Sequence, residues 1–185
     1  MGKEYTEIDG RFQAWIARQN LSSVAPAPSS ADGRIHGSPT GLDGLRVPGP
    51  HDRAYVDTGG SGIETVAHLR DNGRITVMLC AFEGPPKIFR LYGTGTALEP
   101  HHEGFDELLV QFPPLPAARN IIRIRVDRII DSCGYGVPLY DFNAHRDSLG
   151  NYFSKQSDDA IWEYRRKNNT ESLDGLPGLT FPDEE

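Results

Sequence analysis

Hydrophobic residues recur along this chain with two different periods, and the two periods predict its helices and its strands. A spacing of three to four residues predicts amphipathic helices over residues 4–20, 63–72, 105–112 and 158–168. Alternation with a period of two predicts strands over residues 22–27, 53–57, 75–82, 87–93 and 120–130. Short strands, tight turns and few helices together predict a mainly β chain, with a small antiparallel barrel and peripheral helices.

Glycine and proline residues interrupt this pattern and place the turns. The pair Asp32-Gly33 lies between two extended runs and predicts a hairpin whose second strand begins at Arg34. Pro39 lacks a backbone N–H, so it cannot occupy a central position in a sheet. The sequence Gly93-Thr94-Gly95 predicts a bulge in a continuous strand, because Pro100 stops the helix that a dinucleotide-binding motif would require.

Composition and charge narrow the class of protein. The 185 residues are enough for one domain with a substantial core. A formal net charge of −7 argues against a nucleic-acid backbone or an anionic membrane surface as a partner. The sequence has no apolar run of transmembrane length and no signal-peptide core at its start, so we expect a cytoplasmic protein. Its two cysteines, Cys80 and Cys133, do not make a disulfide framework.

The sequence Gly59-Gly60-Ser61-Gly62, called the glycine turn below, is the strongest candidate for a binding site. Its three glycines allow successive backbone N–H groups to point toward one place, and the helix that follows adds its unpaired N–H groups and its dipole. A phosphate group suits such a place. Ser61 and Glu64 also match a capping box with Ser61 as the N-cap, and that role alone would account for Ser61. The residues by themselves leave both interpretations open.

Motifs for other kinds of chemistry are weak. The sequence contains no Gly-x-Ser-x-Gly nucleophile elbow, no Cys-x-x-Cys pair and no Walker loop. His101-His102 has no second ligand pair at a metal-binding spacing, so no metal is expected. The loop at 131–138 carries a thiol at Cys133 and a hydroxyl at Tyr135, which fits the edge of a site and an ordinary turn equally well. A phosphate site without a protein nucleophile favours a bound cofactor that carries the reactivity itself.

Five segments of the sequence carry a likeness to a known family. The most extensive runs from Tyr55 to Thr76 and contains the glycine turn. The other four segments are Ser38 to Gly44, Cys80 to Pro86, Asp131 to Pro138 and Ser172 to Leu179. Together they resemble the pyridoxamine 5'-phosphate oxidase-related, FMN-binding split-barrel family, and in particular a subgroup of uncharacterised members. The resemblance spans most of the chain.

The resemblance implies a fold, an assembly and a cofactor. The expected fold is a six-stranded antiparallel split β-barrel over residues 1–145, including the N-terminal helix, followed by a helical C-terminal extension and acidic tail over residues 146–185. The expected assembly is a homodimer that holds one FMN in each of two clefts between the subunits. By position, the residues near the flavin phosphate would be Ser38, Pro39, Thr40, Ser61, Gly62, Glu64 and Thr65. Lys87 and Ile88 would border the ring or the ribityl chain, and the polar groups over the ring would be Tyr135, Cys133 or His36.

Two places in the sequence depart from the family pattern. The namesake oxidase has an adjacent Arg-Lys pair at the start of the helix, where this chain has Glu64 and Thr65, and Thr40 stands where a lysine is usual. A carboxylate 4 Å from another anion costs roughly 1–4 kcal/mol near a surface. Glu64 is therefore expected to turn back and cap its own helix, or another cation supplies the missing charge. The candidates for that cation are Arg46, Arg74 and Lys87.

These features predict an FMN-dependent oxidoreductase that acts on an unknown small-molecule substrate, with NAD(P)H or oxygen as its electron partner. Oxidation of pyridoxamine phosphate itself is not expected, because the tail has no clear match for the namesake's substrate-binding Trp and Arg. Two alternatives stay open: a non-catalytic flavin- or tetrapyrrole-binding protein, and a deazaflavin-dependent reductase on the same fold. The sequence assigns no catalytic acid or base.

Overall fold

The computed structural model describes residues 2–115 and 117–181. The strands in this part of the chain are β1 (Glu4–Tyr5), β2 (Ser22–Pro26), β3 (Ser38–Thr40), β4 (Leu45–Gly49), β5 (Asp52–Thr58), β6 (Arg74–Cys80), β7 (Ile88–Leu98) and β8 (Ala118–Ser132). The helices are α1 (Gly10–Ile16), α2 (Glu64–Asn72), α3 (Phe105–Leu109), α4 (Ser148–Phe153) and α5 (Asp158–Asn168). None of these helices is long and apolar enough to cross a membrane. Residues 182–185 of the predicted acidic tail lie outside the described residues.

All the described strands belong to one antiparallel sheet. Its order is β3-β2-β6-β7-β8-β5-β4, and β1 pairs with β8 beside this path. The sheet curls into a half-barrel, which confirms a mainly β chain with peripheral helices. The expected number of six strands is wrong, because β4 forms within a Gly- and Pro-rich segment that reads as a loop and β1 adds a further short strand. Strand β7 continues through Gly93-Thr94-Gly95 as predicted, but the bulge beside it lies in β8, where Asp127 is the extra residue between the pairs Tyr92–Arg128 and Gly93–Val126.

The first helix is shorter than the pattern over residues 4–20 predicts. Asp9 caps it by accepting hydrogen bonds from two backbone N–H groups, so Gly10 begins the helix instead of lying in its middle. Residues 4 and 5 form β1 and pair with Ile129 and Ile130 of β8, in a stretch that β5 does not reach. The N-terminal segment is therefore divided into a short strand and a short helix.

The predicted hairpin exists, but its second strand begins later than expected. Strand β3 starts at Ser38, and Arg34 instead donates its backbone N–H to Asp174 Oδ2 over 2.7 Å in the C-terminal part of the chain. The expectation of a strand from Arg34 is wrong, because the acceptor for this N–H lies outside the sheet. Pro39 lies opposite Ser23 in β3, which is the last strand at its end of the sheet. An edge position suits a residue without a backbone N–H.

Buried apolar side chains form two clusters on this sheet. The larger cluster contains residues of β2, β6, β7 and β8 together with side chains from α1 and α2. The smaller cluster lies between β5, β8 and α3 and includes Phe105 and Ile121. Leu179 and Phe181, near the C-terminus, belong to the larger cluster. The expected division of the chain between residues 145 and 146 stays a prediction.

Candidate functional site

A polar cavity of about 330 Å³ opens beside the end of β5, next to β3 and the start of α2. Four separated parts of the chain contribute to its wall: β3 with its flanking residues, the end of β5 with the glycine turn, the first turn of α2, and the start of β8. The lining residues are His36, Ser38, Pro39, Thr40, Gly41, Leu42, Tyr55, Val56, Asp57, Thr58, Gly59, Gly60, Gly62, Glu64, Thr65, Leu115 and Arg119. The cavity thus joins the two segments that the family resemblance assigns to a flavin phosphate.

Helix α2 begins at this cavity without a side-chain cap. Ile63, and not Ser61, is the N-cap residue, and its side chain makes no capping hydrogen bond. The capping-box interpretation of Ser61 and Glu64 is therefore wrong, and Ser61 is exposed. The Glu64 carboxylate instead folds back over Gly62, where a Cβ atom would overlap its Oε2. The N–H groups of the first turn of α2 consequently have no side-chain cap.

Arg119 brings a positive charge to the wall of this cavity, and it is only 7% exposed. It donates from Nε to Asp57 Oδ2 over 2.8 Å and from Nη2 to Asp57 Oδ1 over 3.3 Å. Its Nη1 donates to the Gly60 carbonyl over 3.1 Å. A guanidinium has five N–H groups. Counted over the described residues, two of them remain for a ligand.

A β-bulge sets the direction of the Arg119 side chain. Asp57 pairs with Asn120 whereas Thr58 pairs with Ala118, so Arg119 is the extra residue between two regular pairs. Bulges next to functional sites re-aim a side chain in this way. Asn120 also donates from Nδ2 to Asp57 Oδ2 over 2.8 Å. The Asp57 carboxylate is thus held by two residues of β8 and in turn fixes the guanidinium.

The other titratable groups of the cavity are neutral at about pH 7 or carry a negative charge. Burial lowers the pKa of His36, although Glu64 and Asp57 oppose this shift, so the imidazole is neutral near pH 7. Burial raises the pKa of Tyr55 well above its usual range, and its hydroxyl stays protonated. Because Asp57 balances Arg119, the Glu64 carboxylate is the uncompensated charge among these lining residues.

A larger cavity of about 1130 Å³ adjoins the polar one. Pro39, Gly41 and Leu42 line both cavities, so this short segment forms a common wall. Aromatic and apolar side chains line much of the larger cavity, namely Trp15, Leu21, Phe82, Tyr140 and Phe142. The rings of Phe82 and Tyr140 lie 5.5 Å apart. The two cavities together offer one polar compartment and one aromatic compartment.

The structure distributes the predicted site residues over several places. Those that line the polar cavity are Ser38, Pro39, Thr40, Gly62, Glu64 and Thr65. Lys87 lines the larger cavity, whereas Ile88 is half-buried in β7 between β6 and β8. Ser61 and Tyr135 lie outside the lining of both cavities, and Tyr135 is 83% exposed. Of the three groups suggested over the ring, His36 lines the polar cavity and Cys133 is exposed.

The three cations suggested from the sequence have other partners. Arg46 forms an ion pair with Asp43 over 2.9 Å, and Lys87 forms one with Asp131 over 3.1 Å. Arg74 donates from Nη2 to a backbone carbonyl, that of Pro28, over 2.9 Å. The positive charge at the polar cavity comes from Arg119 instead.

Sequence reasoning missed Arg119 and Asp57, although one signal could have found them. Ile121 and Ile122 are adjacent and both are fully buried, so the strict alternation of β8 stops at this point and both of its faces are covered. An arginine two residues earlier then needs a buried partner. Asp57, in the neighbouring strand, is a carboxylate at a suitable position.

The donor set of the polar cavity fits a phosphate monoester in all but one respect. Besides Arg119 and the first turn of α2, the hydroxyl-bearing residues of the wall are Ser38, Thr40, Tyr55, Thr58 and Thr65. Charge-assisted hydrogen bonds from such groups are the strong contacts of anion sites. The exception is Glu64, whose charge opposes a second anion. The residues therefore fit the group, apart from the negative charge of Glu64.

The sequence and the fold of this chain are similar to those of known proteins. No protein-family model matches the chain. The chain is 37% identical over 193 residues to the pyridoxamine 5'-phosphate oxidase family protein ustO of Aspergillus flavus, which covers 95% of this chain and 77% of that protein. The structure of HupZ from Group A Streptococcus aligns with a TM-score of 0.53 and 19% identity, over 68% of this chain and 94% of that one. A Lactobacillus delbrueckii protein, provisionally named a pyridoxamine 5'-phosphate oxidase, aligns with a TM-score of 0.50 and 14% identity, over the same shares.

The solved structures establish the fold class, a curled antiparallel half-barrel sheet with a few helices. The relationship to ustO goes further, because it is a sequence identity of 37% that extends over 95% of the chain. The chain belongs to the pyridoxamine 5'-phosphate oxidase family.

Proposed function

We propose that the protein binds FMN across the two adjoining cavities and uses it as an oxidoreductase on a small molecule. The observation that carries this proposal is the common wall of Pro39, Gly41 and Leu42, which joins a polar compartment to an aromatic one. A ligand with a phosphate at one end and a flat ring at the other needs both compartments. Membership of the pyridoxamine 5'-phosphate oxidase family supports FMN among the ligands of that shape.

In this proposal the polar cavity holds the phosphate. Arg119 supplies the guanidinium, and Thr65 of α2 and Ser38 of β3 supply hydroxyl groups. Each hydrogen bond between charged groups contributes about 1.5–3 kcal/mol. Asp57 takes no part in binding and keeps the guanidinium in one orientation, which lowers the entropy lost when the ligand binds.

The larger cavity holds the ring and leaves room for a substrate. Tyr140 and Phe142 offer apolar surface against a flat aromatic system and keep water away from it. A cavity of about 1130 Å³ is larger than one drug-sized ligand requires. When bound, FMN supplies the electron transfer, and the chain supplies binding, orientation and the exclusion of water.

We include a homodimer in the proposal, because the larger cavity has an exposed apolar rim. Tyr140 and Phe142 are 62% and 46% exposed, and the neighbouring Leu139 is 73% exposed. Contiguous exposed apolar side chains mark interaction surfaces. A second copy of the chain on this rim would close the cavity over the ring. Analytical ultracentrifugation is expected to give twice the mass of one chain, and a monomer in the presence of saturating FMN would contradict this part.

Titration of the purified protein with FMN, followed by the fluorescence of the flavin, tests the function. We expect saturation at one FMN per chain, with weaker binding of riboflavin because it lacks the phosphate. Addition of NADH or NADPH without oxygen is then expected to bleach the bound flavin. A bound flavin that neither donor reduces would favour the non-catalytic alternative, and a lack of saturable binding for both flavins would contradict the proposal.

A further inference from the structure

The C-terminal segment, residues 148–181, packs against the glycine turn. Asn169 is fully buried and donates from Nδ2 to the Gly60 carbonyl over 3.0 Å. The same carbonyl accepts the Nη1 hydrogen bond of Arg119. Gly60 is therefore held by two side chains at once, one from β8 and one from the end of α5.

A second contact of the C-terminal segment involves Gly59, the residue before Gly60. Gly59 lies directly under the ring of Phe153 in α4, since a Cβ atom at Gly59 would approach Phe153 Cζ to 2.6 Å. The Gly59 N–H donates to the Ala117 carbonyl over 2.9 Å. Arg165 of α5 donates from Nη2 to the next carbonyl, that of Ala118, also over 2.9 Å. The segment thus fixes both the turn and the start of β8 that carries Arg119.

A third contact covers the start of α2. A Cβ atom at Gly178 would lie 3.0 Å from both Cγ atoms of Ile63, the N-cap residue of α2, and would overlap the Asn169 carbonyl oxygen. The same oxygen accepts a hydrogen bond from the Leu179 N–H over 2.8 Å. Asn169 therefore links the end of α5, the final residues of the segment and the glycine turn.

We propose that this C-terminal segment positions the glycine turn for anion binding, with Asn169 as the main positioning residue. The three glycines of this turn have no side chains to fix its backbone, and Ser61 is exposed, so the turn loses much conformational entropy when it is ordered. Asn169 and Arg119 both hold its Gly60 carbonyl, which orders the turn before the ligand binds. The identity of the anion, an FMN phosphate, rests on the proposed function. The positioning itself rests on the contacts of Asn169, Phe153 and Gly178.

The variant Asn169→Ala tests this inference against the matched control Asn168→Ala. Asn168 precedes Asn169, but its Nδ2 donates to the Tyr164 carbonyl within its own helix. Loss of a buried hydrogen bond costs about 1–3 kcal/mol, so Asn169→Ala is expected to weaken FMN binding by about tenfold. Riboflavin binding is expected to change by less than about twofold, because only the phosphate contacts the turn. The control is expected to bind both flavins as the unchanged protein does.

Hydrogen exchange of the amides at residues 60–62, measured without any flavin, separates this inference from the proposed function. We expect these amides to exchange faster in Asn169→Ala than in the control variant. The amides of β7 are expected to exchange at the same rate in both variants. If the unchanged protein binds neither flavin, the proposed function fails, and the exchange experiment alone decides whether the segment positions the turn. Equal exchange in the two variants, or an equal loss of FMN and riboflavin affinity in Asn169→Ala, would overturn the inference. Should Asn169→Ala not fold, Phe153→Leu is expected to give the same selective loss, and its failure to do so would also overturn it.

Discussion

Arg119 donates two hydrogen bonds to the carboxylate of Asp57, and this buried pair forms part of the wall of the polar cavity. The side chains are 7% and 17% exposed. The attraction within such a pair is largely offset by the cost of removing both charges from water. Its importance therefore lies in geometry, because Asp57 holds a planar guanidinium in one place beside the glycine turn.

The variant Arg119→Lys tests that geometry while keeping the positive charge. An ammonium group cannot reproduce the planar fork that binds Asp57 and a phosphate at the same time. We expect FMN affinity to fall by about tenfold, with a smaller change for riboflavin, in fluorescence titrations. Arg123→Lys, at an exposed position of the same strand, serves as the control and is expected to change neither affinity. Equal FMN affinities in both variants would show that Arg119 does not bind the phosphate.

Neutralising Glu64 is expected to strengthen FMN binding or to leave it unchanged. Its carboxylate is the uncompensated charge of the polar cavity, and a like charge at about 4 Å costs roughly 1–4 kcal/mol. The variant Glu64→Gln keeps the shape and removes the charge, so FMN affinity should rise or stay the same, while riboflavin affinity stays the same. Titration of both flavins measures this. If Glu64→Gln abolished FMN binding, Glu64 would be a ligand of the cofactor and not an obstacle to it.

FMN affinity is expected to depend on the charge of His36. Burial lowers the pKa of His36, and a phosphate beside it would raise that pKa in the complex. Binding therefore takes up a proton, and this contribution to affinity grows as the pH falls from about 8 to about 6. The phosphate's own protonation near pH 6 acts in the opposite direction, but it is common to all variants. In titrations across this range, FMN affinity should rise more steeply toward low pH in the unchanged protein than in His36→Gln. Identical pH profiles of FMN affinity in the two proteins would contradict this role of His36.

Asp131 is expected to stabilise the attachment of the N-terminal segment in a pH-dependent way. Burial by itself would raise the pKa of Asp131, but hydrogen bonds from the Lys3 N–H, the Tyr5 hydroxyl and Lys87 lower it overall. A lowered pKa in the folded state contributes stability above the usual carboxyl pKa, and this stability is lost as the pH falls through the lowered value. Asp131→Asn is therefore expected to lower the free energy of unfolding by about 1–3 kcal/mol near pH 7.

Thermal melts of Asp131→Asn at several pH values provide the measurement. The difference from the unchanged protein should shrink steadily below about pH 4, where a carboxyl group begins to take up its proton. Asp127→Asn, at an exposed position of the same strand, is the control and is expected to show no such trend. A constant difference at all pH values would mean that packing, and not the charge of Asp131, holds the segment.

Much of the fold can be predicted from the sequence, because apolar and polar residues alternate along a long strand that has one covered face. The alternation of Ile122, Ile124 and Val126 locates β8. Gly93 of β7 marks the point where the register against β8 shifts, although the extra residue there belongs to β8. Strand β1 cannot be found in this way, because two residues have no periodicity. Its formation depends on a free stretch of β8, which is a property of the assembled sheet.

The candidate site can be predicted only in part. The segments around Thr40 and Thr65 carry recognisable residues, and the structure brings them to one cavity. The direction of Arg119 depends on a bulge opposite Asp57, and a bulge moves a side chain to a face that alternation does not predict. Asn169 and the glycine turn are more than a hundred residues apart in the sequence, so no local pattern predicts their contact.

The crystal structure of the protein with FMN tests the central claim most directly. The account predicts that the phosphate lies within hydrogen-bonding distance of Arg119 and Thr65, and that the ring lies in the larger cavity beside Tyr140 and Phe142. A bound FMN whose phosphate lies outside the polar cavity would contradict the account, as would a cavity that stays closed to the phosphate at saturating FMN.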